Sequence, residues 1–462
     1  MSDENRENRR NRRKRERTAA IVLFTAFLVL VAMLVGFGIM KIRDAHLEKE
    51  QKEAQMQELA AKEAEREAQM QAAKEEQALK ESEKEAEIIV SEDTLVTRQD
   101  QMDEITAIEE ELFGSEAKNR ANALIEEMTL RQKLCQMFIV TPEALTKSGV
   151  VTMCGPQTQK AFAERPVGGI IYFSQNLLSV DQTKGMLSNM QHMAVSENGI
   201  PLFLAVDEEG GKVARVADAL NTTKFSPMFE YKSFGKDIAT GNAKTIGADI
   251  KRLGFNLDFA PVADVWTNKD NTVIGERAYS DDFEAAAMLV AASVDGFHQA
   301  GMACCLKHFP GHGNTSQDSH NSFATTDRTL EQLRKEEYLP FISGIEAGAD
   351  MVMVGHITVT AADKDPATLS KTMITDELRG TLGYEGLIVT DAMNMGAITN
   401  YYGGGEACVK AVLAGADIIL MPSDFTKALD ALENAVTTKR IPEERIDESV
   451  RRILIYKFEH LD

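Results

Sequence analysis

The chain has 462 residues, 44% of them hydrophobic and 6% aromatic, enough to build a sizeable core, so wholesale disorder is excluded. A formal charge of −21 argues against a surface built for nucleic acid, whose phosphate backbone is bound by positive patches. The five cysteines, Cys135, Cys154, Cys304, Cys305 and Cys408, have no CxxC spacing that would point to zinc or redox chemistry, and are read as buried thiols.

Residues 1–17 are a basic tail carrying Arg6, Arg9, Arg10, Arg12, Arg13, Lys14, Arg15 and Arg17. Residues 18–40, TAAIVLFTAFLVLVAMLVGFGIM, form a nearly unbroken apolar run. It is close to the roughly 20 residues a helix needs to cross a bilayer, and it predicts a transmembrane helix. The basic flank keeps the tail cytoplasmic, so everything after Met40 is expected outside the cell, on a single-pass membrane protein. A cleaved signal peptide is the rival, but its apolar region is usually about 7–15 residues and needs a small-residue cleavage site. Neither condition is well met here.

Residues 41–112 read as a charged helical stalk or linker. Residues 44–87 are dominated by Glu, Lys, Ala and Gln without Gly or Pro, a composition that favours helix. Met56, Leu59 and Met70 share a heptad register, which Glu63, Arg66 and Gln77 interrupt. A single charged helix and a weakly self-associating coiled coil both fit. At 1.5 Å per residue this stretch would hold the following domain roughly 65 Å from the membrane.

Residues 113–462 have the composition of one large domain. Short apolar runs at 134–140, 169–173, 202–206, 257–260, 302–306, 351–354, 387–389 and 417–421 alternate with amphipathic segments. Continuous hydrophobic strands separated by helices indicate a parallel sheet covered on both faces. Eight such units in this length suit an α/β fold of the (β/α)8 TIM barrel type, with an open doubly wound sheet as the alternative. Polar residues follow the strands directly: Asp207-Glu208-Glu209, Asp264, Lys307-His308, His356 and Asp391. In a barrel these converge on one mouth. The Met-rich run Met351–Val354 reads as core.

The segment Lys307-His308-Phe309-Pro310-Gly311-His312-Gly313, followed by Asn314-Thr315-Ser316-Gln317-Asp318-Ser319-His320, is read as a loop that Pro310, Gly311 and Gly313 keep from helix. It gathers one Lys, three His and one Asp at a strand end, the density expected of a site rather than of stray surface histidines. His308, His312, His320 and Asp318 are acceptable zinc ligands. Pro310 breaks the helical spacing that two-histidine zinc motifs use, so neither metal nor cofactor is expected there.

KHFPGHG followed by Asp-Ser-His resembles the signature of glycoside hydrolase family 3, in its β-N-acetylglucosaminidase branch. AVDEEGGKVARV, GFNLDFAPVADV, GERAYS and LIVTDAMNM resemble that family's other blocks in the same order, over roughly residues 123–456. The resemblance implies that Asp391 is the nucleophile, His320 the general acid/base and Asp318 its partner. It further implies that Asp207, Arg215, Arg277, Lys307 and His308 bind the sugar. Asn314 stands where the family usually has Asp, and no Pro follows closely after the Asp-Ser-His.

The residues support this chemistry in their own right. Retaining hydrolysis needs a carboxylate nucleophile and a proton donor, and Asp391 ends an apolar strand. A helix N-cap is the plainer reading of Asp391. A histidine, with an ordinary pKa of about 6.5, can be half-protonated near neutral pH, and Asp318 two residues earlier can orient it, although Asp-x-His also occurs in solvated turns. Asp207, Arg215, Arg277 and Lys307 offer one acceptor and three cationic donors to a polyhydroxylated ring, though each alone could be an ordinary salt-bridge member. Asp258 and Asp264 are read as structural, with Pro261 ending their strand, and Glu208 and Glu209 as outer support.

The expected activity is release of terminal N-acetylglucosamine from cell-wall fragments. A β-glucosidase or β-xylosidase of the same family would ordinarily carry a further domain supplying an acid/base glutamate, and only 41 residues follow Met421. A non-catalytic wall-binding protein would be expected to lack Asp391 or the Asp318–His320 pair.

Overall fold

The computed structural model describes residues 116–315 and 324–461. All of these belong to the second of two units into which the chain divides, Met1–Asp100 and Gln101–Asp462. The expected basic tail, transmembrane helix at 18–40 and stalk, together with Asp318 and His320, lie outside the described residues. None of the described helices is long and apolar enough to cross a membrane.

Eight strands carry the architecture: β1 Phe138–Val140, β2 Gly169–Ile171, β3 Phe203–Val206, β4 Leu257–Asp258, β5 Ala303–Phe309, β6 Met351–Val354, β7 Leu387–Thr390 and β8 Ile419–Leu420. All pairings among them are parallel, in the order β7-β6-β5-β4-β3-β2-β1-β8. A parallel bridge between Val389 and Ile418 joins the two ends, so the sheet closes into a barrel. Each of the eight predicted runs supplies one of these strands. The strands are buried on both faces, as their near-continuous apolar sequences require.

The interior face is filled by the strands' own side chains, and the outer face packs on the surrounding helices. Phe138 meets Phe425 of the helix Phe425–Thr437 at a centroid distance of 5.2 Å, and Phe309 meets Phe341 of the helix Leu339–Glu346 at 5.4 Å. Met351–Val354 is core, as expected.

Two local expectations are corrected. The run at 134–140 begins in a helix, Leu130–Gln136, because Thr129 caps it: its hydroxyl accepts the Gln132 N–H while the Gln132 side chain accepts the Thr129 N–H. The strand therefore starts only at Phe138. Conversely, Lys307, His308 and Phe309 belong to β5 rather than to a loop, since Phe309 is fully buried against Tyr338 and Phe341. The loop begins at Pro310.

Candidate active site

A cavity of about 480 Å³ opens at the C-terminal ends of the strands. Ile171, Asp207, Lys307, Met353, Asp391 and Leu420, from the ends of six different strands, all face it. The predicted residues Asp207, Arg215, Arg277, Lys307, His308 and Asp391 thus meet in one place.

The charge network at its floor is built on Lys307. Its ammonium lies 2.8 Å from Asp207 Oδ1 and 2.6 Å from Glu209 Oε1, and Glu209 also takes a two-pronged pair from Arg277, at 2.8 and 2.7 Å. Burial works against charge on Glu209, Arg277 and Lys307. The Arg277 and Lys307 cations nevertheless outweigh it and hold the Glu209 carboxyl well below the usual carboxylate range. The same attraction, from Asp207 and Glu209, overcomes burial to hold Lys307 firmly protonated. Glu209, read from sequence as outer support, is therefore the centre of the network. The strand alternation carried the signal: Asp207 and Glu209 stand two apart and both face the cavity, while Glu208 between them turns away. Glu208 instead accepts the Val216 and Ala217 N–H groups at 2.6 and 3.0 Å and secures the helix Arg215–Leu220. The turn that allows this needs Gly211, whose φ is +56° and whose missing Cβ would stand 2.9 Å from Pro227 Cα.

Arg215 faces the cavity with its Nε buried and without a hydrogen-bond partner, and among the described residues it makes no ion pair.

His308 is set by Asp264. The buried carboxylate lies 2.7 Å from His308 Nδ1 through one oxygen, and through the other accepts the His308 and His312 N–H groups at 3.2 and 2.6 Å. Burial would raise its pKa, but His308, His312 and these hydrogen bonds bring it below the usual range, so Nδ1 is the donor and Nε2 is left for a ligand. Asp264 was expected to be structural; it orients a site residue. Asp258 fits that expectation better, accepting the Glu208 N–H at 2.9 Å from full burial.

His312 also lines the cavity, its Nδ1 2.8 Å from Thr315 Oγ1. Burial, partly opposed by Asp264, pushes its pKa down to about 4, so it is neutral at physiological pH. Beyond it Gly313 lets the chain run against the β4 loop, where a Cβ would meet Val265 O at 1.9 Å. Asn314 ties the same loop down by donating to Thr267 Oγ1 at 3.2 Å. Asp318 and His320 follow, outside the described residues.

Asp391 directly follows β7, with its N–H donated to Val354 O at 2.9 Å and its Oδ1 accepting the Ala392 N–H at 2.7 Å. It is not a helix N-cap, because the next helix, Gly396–Thr399, is capped at Met395. The geometry thus sets a carboxylate at a strand end across from cationic donors and an imidazole whose Nε2 can accept, an arrangement that can bind a polyhydroxylated ring.

Comparison with known proteins follows the same lines. The model for the glycosyl hydrolase family 3 N-terminal domain matches residues 129–455. A β-hexosaminidase A of Pseudoalteromonas piscicida is 33% identical over 330 residues, covering 66% of this chain and 55% of that protein. A β-hexosaminidase of Xanthomonas oryzae is 35% identical over 58% of this chain and 80% of its own length. Among solved structures, a glycoside hydrolase family 3 β-N-acetylglucosaminidase from a Paenibacillus species is 39% identical with a TM-score of 0.68, over 72% of this chain and 63% of the other. The chain thus spans just over half of the Pseudoalteromonas protein and under two thirds of the Paenibacillus one. With the matched model covering the whole barrel, this chain belongs to glycosyl hydrolase family 3.

Proposed function

We propose that the chain is a retaining exo-β-N-acetylglucosaminidase that removes terminal N-acetyl-β-glucosaminides, with peptidoglycan fragments as substrate. The observation that carries this is the single cavity in which Asp391 shares space with Asp207, Lys307, Arg277, Arg215 and His308. In the first step Asp391 attacks the anomeric carbon and forms a glycosyl ester, while His320, oriented by Asp318, gives its proton to the departing oxygen. In the second, His320 takes a proton from water, which displaces the sugar from Asp391. Lys307 and Arg277 donate to ring hydroxyls, Asp207 accepts from one, and His308 presents Nε2. The names of the Pseudoalteromonas, Xanthomonas and Paenibacillus relatives support the choice of sugar. The purified full chain should release nitrophenol from nitrophenyl N-acetyl-β-glucosaminide at least about tenfold faster, in kcat/KM, than from nitrophenyl β-glucoside. The reverse preference would move the reading to a β-glucosidase.

Asp264 is proposed as the positioning residue for His308. In Asp264→Asn an amide NH2 faces either the His308 Nδ1–H or the two backbone N–H groups, and one buried donor loses its acceptor. Such a loss costs about 1–3 kcal/mol, so kcat/KM should fall by about 5- to 150-fold. A shifted pH profile would accompany it. Lowered thermal stability with an unchanged kcat/KM and pH profile would reduce Asp264 to a structural role.

The apolar run at 18–40 and its basic flank support an anchored enzyme with the barrel outside the cell and a stalk between them, able to associate weakly with itself. Protease added to intact cells should remove the barrel. Protection until the membrane is broken would reverse the orientation.

A further inference from the structure

At the other end of the barrel, where the strands begin, a second cavity of about 870 Å³ is lined by His298, Asp350, Tyr456 and His460 among others. Along β5, Lys307 reaches the charge network, whereas Cys304 meets His298 of the helix Phe283–Gln299 and Asp350, which precedes β6.

We propose that His298, Cys304 and Asp350 form a binding site for a zinc-class divalent ion, with its fourth position open to this cavity. Among the described residues these are the only three of the ligating types His, Cys, Asp and Glu whose ligand atoms all lie within 4.8 Å of one another. His298 Nε2 stands 3.0 Å from Asp350 Oδ2 and 3.8 Å from Cys304 Sγ. Ligands of a tetrahedral zinc ion, bonded at about 2.0–2.3 Å, sit roughly 3.3–3.8 Å apart, so small side-chain shifts suffice. The carboxylate is already oriented: Tyr456 Oη donates to Oδ1 at 2.7 Å and the Cys304 N–H to Oδ2 at 2.8 Å. A thiol and an imidazole beside one carboxylate favour zinc or cobalt over magnesium or calcium. The His298 side chain is 36% exposed, which gives an ion access from the cavity.

Binding replaces the His298–Asp350 hydrogen bond. The Cys304 thiol gives its proton to solvent as the metal–sulfur bond forms, the Nε2 proton that His298 shares with Asp350 passes to solvent or, in the neutral ring, is exchanged for one on Nδ1, so that Nε2 binds as the neutral imidazole, and Asp350 Oδ2 supplies the third bond. Proton release makes the affinity fall as pH drops. The residues are separate from the Asp391 cavity, so the inference does not depend on the proposed activity.

Cobalt(II) alone, added to the purified metal-free full chain, is the probe. One equivalent should give a near-ultraviolet thiolate-to-cobalt charge-transfer band with intensified visible bands, and zinc should bleach both. Cys304→Ser should lose the charge-transfer band and Cys154→Ser should keep it. Tyr456→Phe, which removes a hydrogen bond behind Asp350, should weaken cobalt binding by about 10- to 100-fold. Should Cys304→Ser fail to fold, His298→Gln makes the same test from the imidazole side, with loss of the tetrahedral visible bands. The site is overturned by a wild-type titration without a charge-transfer band, which would leave a hydrogen-bonded junction only. A band that survives Cys304→Ser or His298→Gln, or disappears with Cys154→Ser, overturns it equally.

Discussion

Asp391→Asn should abolish turnover of every β-glycoside substrate while leaving the barrel folded. The amide matches the carboxylate in shape, and its oxygen can still accept the Ala392 N–H that Asp391 Oδ1 accepts at 2.7 Å. The backbone bond from Asp391 N–H to Val354 O, at 2.9 Å, is untouched. Since the helix Gly396–Thr399 is not capped by this side chain, no helix end is orphaned, and the melting temperature should stay within a few degrees. What disappears is the only charge proposed to form the glycosyl ester. Loss of a nucleophile typically costs about four orders of magnitude or more, because the remaining groups position a substrate that nothing attacks. The comparison to make is kcat/KM of wild type and variant on the same nitrophenyl substrate, beside their melting curves. Retention of more than about 1% of wild-type activity would remove Asp391 from the role.

A reader of the sequence could find Asp391 because the barrel's strands are written in it plainly. Runs such as Leu387–Thr390 are apolar without alternation, which only a sheet covered on both faces tolerates, and the first polar residue beyond each run falls at the mouth. Less legible was the division of labour among the buried charges. Glu209 and Asp264 each look like interchangeable acids in sequence, yet one clamps Arg277 and Lys307 and the other fixes the tautomer of His308. Those partners lie 68, 98 and 44 positions away along the chain, and no local pattern specifies such pairings. The start of β1 was hidden for the opposite reason. A local device, the Thr129–Gln132 capping box, overrode an apolar run that reads equally well as strand. Arg215 is an intermediate case: its motif placed it at the mouth, but its unpartnered Nε becomes visible only once the neighbours are known.

His320→Ala separates the two halves of the proposed reaction, and its effect depends on the leaving group. Glycosylation by Asp391 needs protonation of the departing oxygen only when that oxygen is a poor leaving group, as a sugar hydroxyl is. With an activated aryl glycoside the first step should therefore survive in the variant. The second step should not, because water must lose a proton as it attacks the ester and the base is gone. A burst of nitrophenol should precede a steady state lowered by roughly 10²- to 10⁴-fold, and the covalent sugar should accumulate on the enzyme. The proposed cell-wall fragments, with their poor leaving groups, should show no burst at all. His308 and His312 cannot substitute: Asp264 and Thr315 hold their Nδ1 atoms, and burial pushes His312 down to about 4, where it is a poor proton donor near neutral pH. Mass spectrometry of the acid-quenched variant then locates the label. A peptide carrying the sugar on Asp391 satisfies both assignments together. A label on any other residue breaks the nucleophile assignment, and near-normal turnover of cell-wall fragments by His320→Ala breaks the acid/base assignment while leaving Asp391 in place.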